Sequence, residues 1–223
     1  MEVLVTGGDT EVGRAIAEGF RDAGHRVVIS GARRDELEVA AKELDVDAIV
    51  VDHTDPASLT EARSLFPHHL DTIVNVPAPR WEQGDPRTFS LPEHATAWRN
   101  ALDATVLAPV LTLQTLGDHL RSGGSVVSIV SESPRDGSAQ AAMKAALSEW
   151  TVGRSTHFGT RGITLNVVAA GRGHELGYDG LTSAAPSAAA ELSRLTLFLS
   201  TPGARHITGQ TLHVSSGTLA HFG

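Results

Sequence analysis

The sequence predicts an α/β fold built on a doubly wound, parallel, seven-stranded sheet with helices on both faces. Three observations predict it. Seven short runs rich in Val, Ile and Leu alternate with longer segments of helical spacing. Those runs are continuously apolar rather than alternating, the pattern of strands covered on both faces. Strands separated by helices also call for right-handed crossovers, which wind a sheet in both directions from its first strand.

The elements follow in order. The first strand is Glu2–Thr6, and residues 12–23 form a helix with Val12, Ile16 and Phe20 on one side. Residues 26–30 (RVVIS) are the second strand, and 35–44 a helix whose apolar side carries Leu37, Ala40 and Leu44. Residues 47–51 (DAIVV) are the third strand, followed by a helix over 56–65 with Asp55 as its N-cap. Residues 71–76 are the fourth strand, and 77–92 a loop rich in Pro, Gly and Asp. One long helix is expected over 93–120, a fifth strand over 125–130, and a helix over 138–158. A sixth strand over 163–168, a loop over 171–185, a helix over 186–199 and a last strand, Gln210–Val214, complete the chain.

Composition narrows the function. The chain has 223 residues, a length that suits one domain spanning residues 1–223. With no cysteine, a disulfide framework, a thiolate metal site and a Cys nucleophile are excluded. The formal net charge is -8, which opposes nonspecific nucleic-acid binding, so no nucleic-acid partner is expected. No basic leader opens the sequence and no apolar stretch approaches ~18 residues, so no membrane partner and a cytoplasmic location are expected. None of the eleven His residues has metal-ligand spacing. His68-His69 reads as a helix-end pair, and no metal is expected.

Residues 6–13 (TGGDTEVG) leave the first strand and open the first helix. Helix-start N–H groups can hold a pyrophosphate there, and glycines permit its approach. Further landmarks recur at strand ends: Asp52 after the third, Asn75 with Val76-Pro77-Ala78 after the fourth, Ser131 after the fifth, and Asn166 through Gly171 after the sixth. Lys144 lies in the following helix, and Thr208-Gly209-Gln210 leads into the last strand. In that order, across essentially the whole chain, the sequence resembles the short-chain dehydrogenase/reductase family. The resemblance implies a Rossmann fold and NAD(P)-linked oxidoreduction.

The resemblance also assigns roles. Lys144 matches the family's Lys, which binds the ribose and lowers the pKa of a Tyr four residues earlier. Ser131 matches the Ser that orients the substrate oxygen, Asp52 the adenine-contacting Asp, and Asn75 one residue of the family's Asn-Asn-Ala-Gly motif. Gly7 and Gly13 match the glycine turn. The second strand ends without the carboxylate that grips an adenosine 2′-hydroxyl, and Arg33 and Arg34 follow at once. That combination suits a 2′-phosphate, so NADP(H) is the expected cofactor. The alternative is that the two arginines are a solvated helix start.

Several positions depart from the family. The Tyr position is Gln140, and an amide cannot transfer a proton near neutral pH. The Asn position is Thr105. Glu11 replaces the middle glycine of the turn and sets a carboxylate against a pyrophosphate, with Asp9 beside it. The segment after Gly171 is short for a substrate lid, which makes water harder to exclude. Tyr178, His174, Glu175 and Glu132 are candidate replacement acids, and each reads more readily as an exposed loop residue. A Ser131–Lys144 hydrolase is disfavoured because neither a Ser-x-x-Lys helix nor a GxSxG elbow is present.

Two functions follow. One is an NADP(H)-linked oxidoreductase-like protein whose Tyr-dependent carbonyl reduction is lost or altered. The other is a non-catalytic member that binds a ligand, regulates, or partners an active subunit. Whether the chain is an enzyme stays open at this level. The family also implies a homodimer or homotetramer, with Ala101, Thr105, Ala108 and Leu116 on one long helix and Ala141, Ala145, Ser148 and Val152 on the other. The alternative is that these residues face the sheet alone. The substrate class is unassigned.

Overall fold

A computed structural model describes residues 1–78, 88–131, 138–170 and 188–214. The elements are β1 (Glu2–Thr6), α1 (Glu11–Asp22), β2 (Arg26–Gly31), α2 (Arg34–Leu44), β3 (Asp47–Val50), α3 (Pro56–Ala62) and β4 (Leu70–Asn75). They continue with α4 (Leu91–Leu102), α5 (Ala108–Leu116), β5 (Leu120–Ser131), α6 (Ala139–Gly159), β6 (Thr164–Ala170), α7 (Ala188–Leu199) and β7 (Gln210–Val214). The seven strands lie in the order β3-β2-β1-β4-β5-β6-β7, and every described pairing is parallel. The expected doubly wound sheet is therefore present, and its strand order reverses between β1 and β4.

Period-two alternation sorts the strand residues between two helical layers. Val3, Val5 and Ile29 pack with Ile16 and Phe20 of α1, Leu37 of α2 and Leu192 of α7. Leu4, Val28 and Ile73 face the opposite layer, against Leu59 of α3, Leu113 and Leu116 of α5 and Phe158 of α6. Phe20 is fully buried, and a side chain of that size contributes roughly 2–3 kcal/mol by leaving water. Gly19 of α1 has a packing reason to lack a side chain: a Cβ there would lie 2.0 Å from Ser193 Oγ of α7. That close approach holds α7, and with it Leu192, against the strand ends.

One expectation is corrected. The segment 93–120 is not a single helix. Between α4 and α5 the backbone makes a π turn over Asp103–Leu107, in which the Ala108 N–H donates to Asp103 O, five residues back. Pro109 supplies the reason. It has no N–H for the carbonyl of Thr105 four residues earlier, so the regular ladder is interrupted at that point. The helix then stops at Leu116 and β5 begins at Leu120. The β4–β5 register shifts between Leu70 and Thr72, because Leu70 faces Leu120 and Thr72 faces Ser125.

Among the described residues no helix is long and apolar enough to cross a membrane, and no cluster of His, Asp and Glu has a metal-holding arrangement. His68 lies against His119, ring centroids 5.2 Å apart and planes inclined by 43°. The stripes expected to pair subunits are mixed. Leu116 is in the core, Ala101 is buried, and Ala145 and Val152 are exposed. Ser148 Oγ accepts a bond of 2.8 Å from Thr211 Oγ1 of β7.

Candidate dinucleotide site

A cleft of about 410 Å³ opens at the carboxyl ends of the strands, where the sheet reverses and open α/β sheets bind ligands. Its lip carries Asp9, Thr10, Glu11 and Arg33, and its apolar wall Val76, Ile129, Val130 and Leu192.

The glycine turn makes the lip. Gly7 has φ +62°, and a Cβ on it would lie 2.5 Å from Val76 O. A Cβ on Gly13 would lie 2.1 Å from Gly7 O. The turn closes only because both positions lack a side chain. Thr6 Oγ1 accepts the Val76 N–H at 3.0 Å, tying the end of β1 to that of β4.

Thr10, which sequence reasoning passed over, is the N-cap of α1. Its Oγ1 donates to Gly7 O at 2.7 Å and accepts the Gly13 N–H at 3.0 Å. The Thr10 N–H itself bonds Gly7 O. Of the four donors a helix start leaves unpaired, those of Glu11 and Val12 meet no acceptor among the described residues and could serve a ligand. The Glu11 side chain is exposed at the first position of the helix, where the dipole favours its charge. It stands on the same lip.

The structure separates the two arginines read together from the sequence. Arg33 lines this cleft. Its Nε donates to Asp9 Oδ2 at 2.9 Å, its N–H to the same oxygen at 3.2 Å, and its Nη2 to Asp9 O at 2.6 Å. Arg34 lines a different groove with Arg26 and Asp47 and pairs with Glu38 at 3.3 Å. A two-arginine clamp is not formed, because Arg33 ends its strand–helix turn toward β1 while Arg34 starts α2. Asp9 also differs from expectation. Its carboxylate is engaged by Arg33 and is buried, with 1% of the side chain exposed.

Asp52 stands just past β3. Its Oδ1 accepts from Thr54 N at 3.0 Å and Thr54 Oγ1 at 2.7 Å, holding the turn into α3. Asn75 is buried at the end of β4. Its Nδ2 donates to Ser128 Oγ at 3.2 Å, while Oδ1 has no hydrogen-bond partner among the described residues.

A second feature was not legible in the sequence. His53 is buried between Ser30 of β2 and Thr112 of α5, with Nε2 2.8 Å from Ser30 Oγ and Nδ1 2.8 Å from Thr112 Oγ1. Burial pushes its pKa down to about 4, against a smaller upward pull from Asp9. The ring is therefore neutral at pH 7, with one nitrogen donating and the other accepting. It joins the segment after β3 to β2 and α5.

On the other side of the sheet reversal, Lys144 and Gln140 are half-buried on α6, one helical turn apart. Ser138 caps that helix, its Oγ accepting the Ala141 N–H at 3.2 Å. Ser131 closes β5 opposite Ala170, and its side chain lies outside the described residues. Thr105 sits in the π turn. The candidates Glu132, His174, Glu175 and Tyr178, and the lid after Gly171, lie outside the described residues.

The strand order, the glycine turn at its reversal and the Lys-bearing helix beside β5 define a class. The chain belongs to the short-chain dehydrogenase/reductase family, as a member with altered motifs. Residues 9–218 match a family model described as enoyl-(acyl carrier protein) reductase. A Mycobacterium tuberculosis (strain H37Rv) protein whose name places it provisionally among oxidoreductases is 68% identical over the full length of both chains. A short-chain dehydrogenase of Burkholderia cenocepacia, solved with NADP, is 27% identical with TM-score 0.77, covering 96% of this chain and 95% of that one. A blue fluorescent protein from a metagenomic library, solved with NADPH, is 25% identical with TM-score 0.78 over 98% of each chain.

The residues present fit a dinucleotide in outline. The glycine cradle would be filled by any Cβ, two helix-start donors remain, and the unpaired Asn75 oxygen lies at the adjoining strand end. Glu11 and the Thr10-capped Gly13 N–H weaken that seat without closing it.

Proposed function

We propose that this protein is a divergent oxidoreductase-like member of its family that binds NADP(H) in the β1/β4 cleft and no longer performs Tyr-dependent carbonyl reduction. The observation that carries this reading is the pairing of a glycine cradle kept at Gly7 and Gly13 with Gln140 at the proton donor's place on α6. Relatives solved with NADP and NADPH support the coenzyme. When bound, the nicotinamide would supply or accept a hydride. Gly7, Gly13 and the N–H groups of Glu11 and Val12 would seat the pyrophosphate, with Arg33, Asp52 and Asn75 toward the adenosine and Lys144 on the ribose. Ser131 would orient a substrate oxygen. Gln140 can donate a hydrogen bond to that oxygen, but its amide has no acidic proton to give, so charge developing there is polarised and not neutralised. Thr105 takes the place of the Asn, in a backbone already opened by the π turn.

The second reading, a non-catalytic binding, regulatory or partner subunit, is favoured by Glu11 on the pyrophosphate lip. One experiment separates the two. NADPH is titrated against the purified protein by thermal shift, and turnover of carbonyl substrates is followed in wild type and Gln140→Tyr. Micromolar binding without wild-type turnover, and turnover gained in the variant, is expected. Brisk wild-type reduction of an aldehyde or ketone overturns the loss of chemistry, and no shift at millimolar NADPH or NADH overturns coenzyme binding. Pairing into a homodimer or homotetramer through α4 and α6 belongs to the same proposal. Exposed Trp98 and Leu102 on α4 and Val152 on α6 support it, and a monomer mass in light scattering would contradict it.

A further inference from the structure

The tip of β2 carries one more inference, which rests on the dinucleotide reading above. Gly31 ends that strand with no side chain to offer an adenosine ribose. The Asp9 carboxylate occupies the place instead, for a Cβ on Gly31 would lie 2.5 Å from Asp9 Oδ1. This acid arrives from the glycine turn rather than from the strand. Its Oδ2 is held by Arg33, and its Oδ1 is buried without a hydrogen-bond partner among the described residues.

Arg33 keeps 47% of its side chain exposed on the rim of the cleft. Its Nε edge, however, is engaged by Asp9 at 2.9 Å. Arg34 faces another groove, and Glu11 stands on the same lip. Among the described residues the adenosine end thus offers a 2′-phosphate a single guanidinium, and its charge is already compensated. A phosphate that displaced Asp9 would strand a buried carboxylate without its cation. A phosphate that shared Arg33 would sit beside a like charge. A coenzyme with a free 2′-hydroxyl meets neither penalty but gains no attraction from Arg33 either, so the two coenzymes come out nearly level.

We propose that Asp9 is the specificity-determining residue for the coenzyme: its carboxylate competes with an adenosine 2′-phosphate for Arg33, so that the protein separates NADP(H) from NAD(H) only weakly. Removing that charge turns the same cleft into an NADP(H)-selective site.

The test uses 2′,5′-ADP and 5′-AMP, which differ by the 2′-phosphate alone, followed by NADPH and NADH, each titrated calorimetrically. Wild type is expected to bind the members of each pair within about threefold of one another. In Asp9→Asn, which keeps an acceptor for Arg33 Nε, and in Asp9→Ser, 2′,5′-ADP and NADPH tighten by about tenfold or more. The affinities for 5′-AMP and NADH stay within about twofold. Adding Arg33→Gln abolishes the gain. An unchanged ratio in both variants, or a wild type already selective by more than about tenfold for 2′,5′-ADP, overturns the role of Asp9 and leaves the dinucleotide reading standing. No binding of NADPH or NADH to wild type or either variant overturns both. Thermal melts establish that each variant is folded, and Asp9→Asn is the variant that preserves the packing around Gly31.

Discussion

Replacing His53 by Gln should flatten the acid side of this protein's stability profile. The ring is buried and bonded to Ser30 and Thr112, and burial lowers its pKa from 6.5 to about 4. In the unfolded chain the same ring takes up a proton as pH falls through 6.5; in the folded chain it stays neutral down to about 4. Between these values the unfolded state binds more protons, so stability drops with falling pH at about 1.4 kcal/mol per pH unit. From about pH 7 to about pH 5 the loss attributable to His53 is roughly 2 kcal/mol, and it approaches about 3 kcal/mol once both states are protonated. Gln offers a donor and an acceptor to the two hydroxyls but does not titrate. Urea unfolding of wild type and His53→Gln, followed by circular dichroism at several pH values, isolates the difference because carboxylate contributions shared by both chains cancel. Parallel stability–pH curves for the two proteins would refute the reasoning. So would an NMR titration of the folded wild type in which the His53 ring protonates near 6.5, a measurement that does not depend on the variant folding.

Two further outcomes concern the glycine turn. Gly13→Ala places a Cβ 2.1 Å from Gly7 O, and backbone at that distance must move. A loss of about 2 kcal/mol or more in urea unfolding is expected, with or without coenzyme, and an undisturbed midpoint would contradict the close-packed turn. Glu11→Gln removes the carboxylate from the lip and keeps the side-chain shape. NADPH and NADH should both tighten by about fivefold in calorimetry, since the pyrophosphate is common to them. An unchanged Kd would mean that Glu11 does not oppose the pyrophosphate.

These experiments divide along the line between local and distant causes. The first helix, the strand at Glu2–Thr6 and the final strand at Gln210–Val214 were legible because helical spacing and apolar runs act over a few residues, whereas the Thr10 cap that starts α1 was not read. The proposed exchange of the proton donor was legible for the same reason: Gln140 and Lys144 are four residues apart on one helix, a spacing that survives any tertiary arrangement. The π turn at Thr105 left one sign, Pro109, but a proline near a helix start is ordinary, so that sign did not distinguish a break from a new turn of helix.

The sequence by itself determined the layered sheet, the glycine turn at its switch point and the glutamine four residues before Lys144 on the helix beside β5, because periodicity and short spacing carry those. Only the tertiary structure decided where the charges went. Asp9 and Arg33 are 24 residues apart and meet because β1 and β2 are neighbours. Arg34, one residue on, is turned to a different groove by the start of α2. His53 lies 23 residues from Ser30 and 59 from Thr112, and becomes a neutral bridge because strand and helix close over it. Burial and partnership are properties of chain crossings, and no local pattern of residues encodes them.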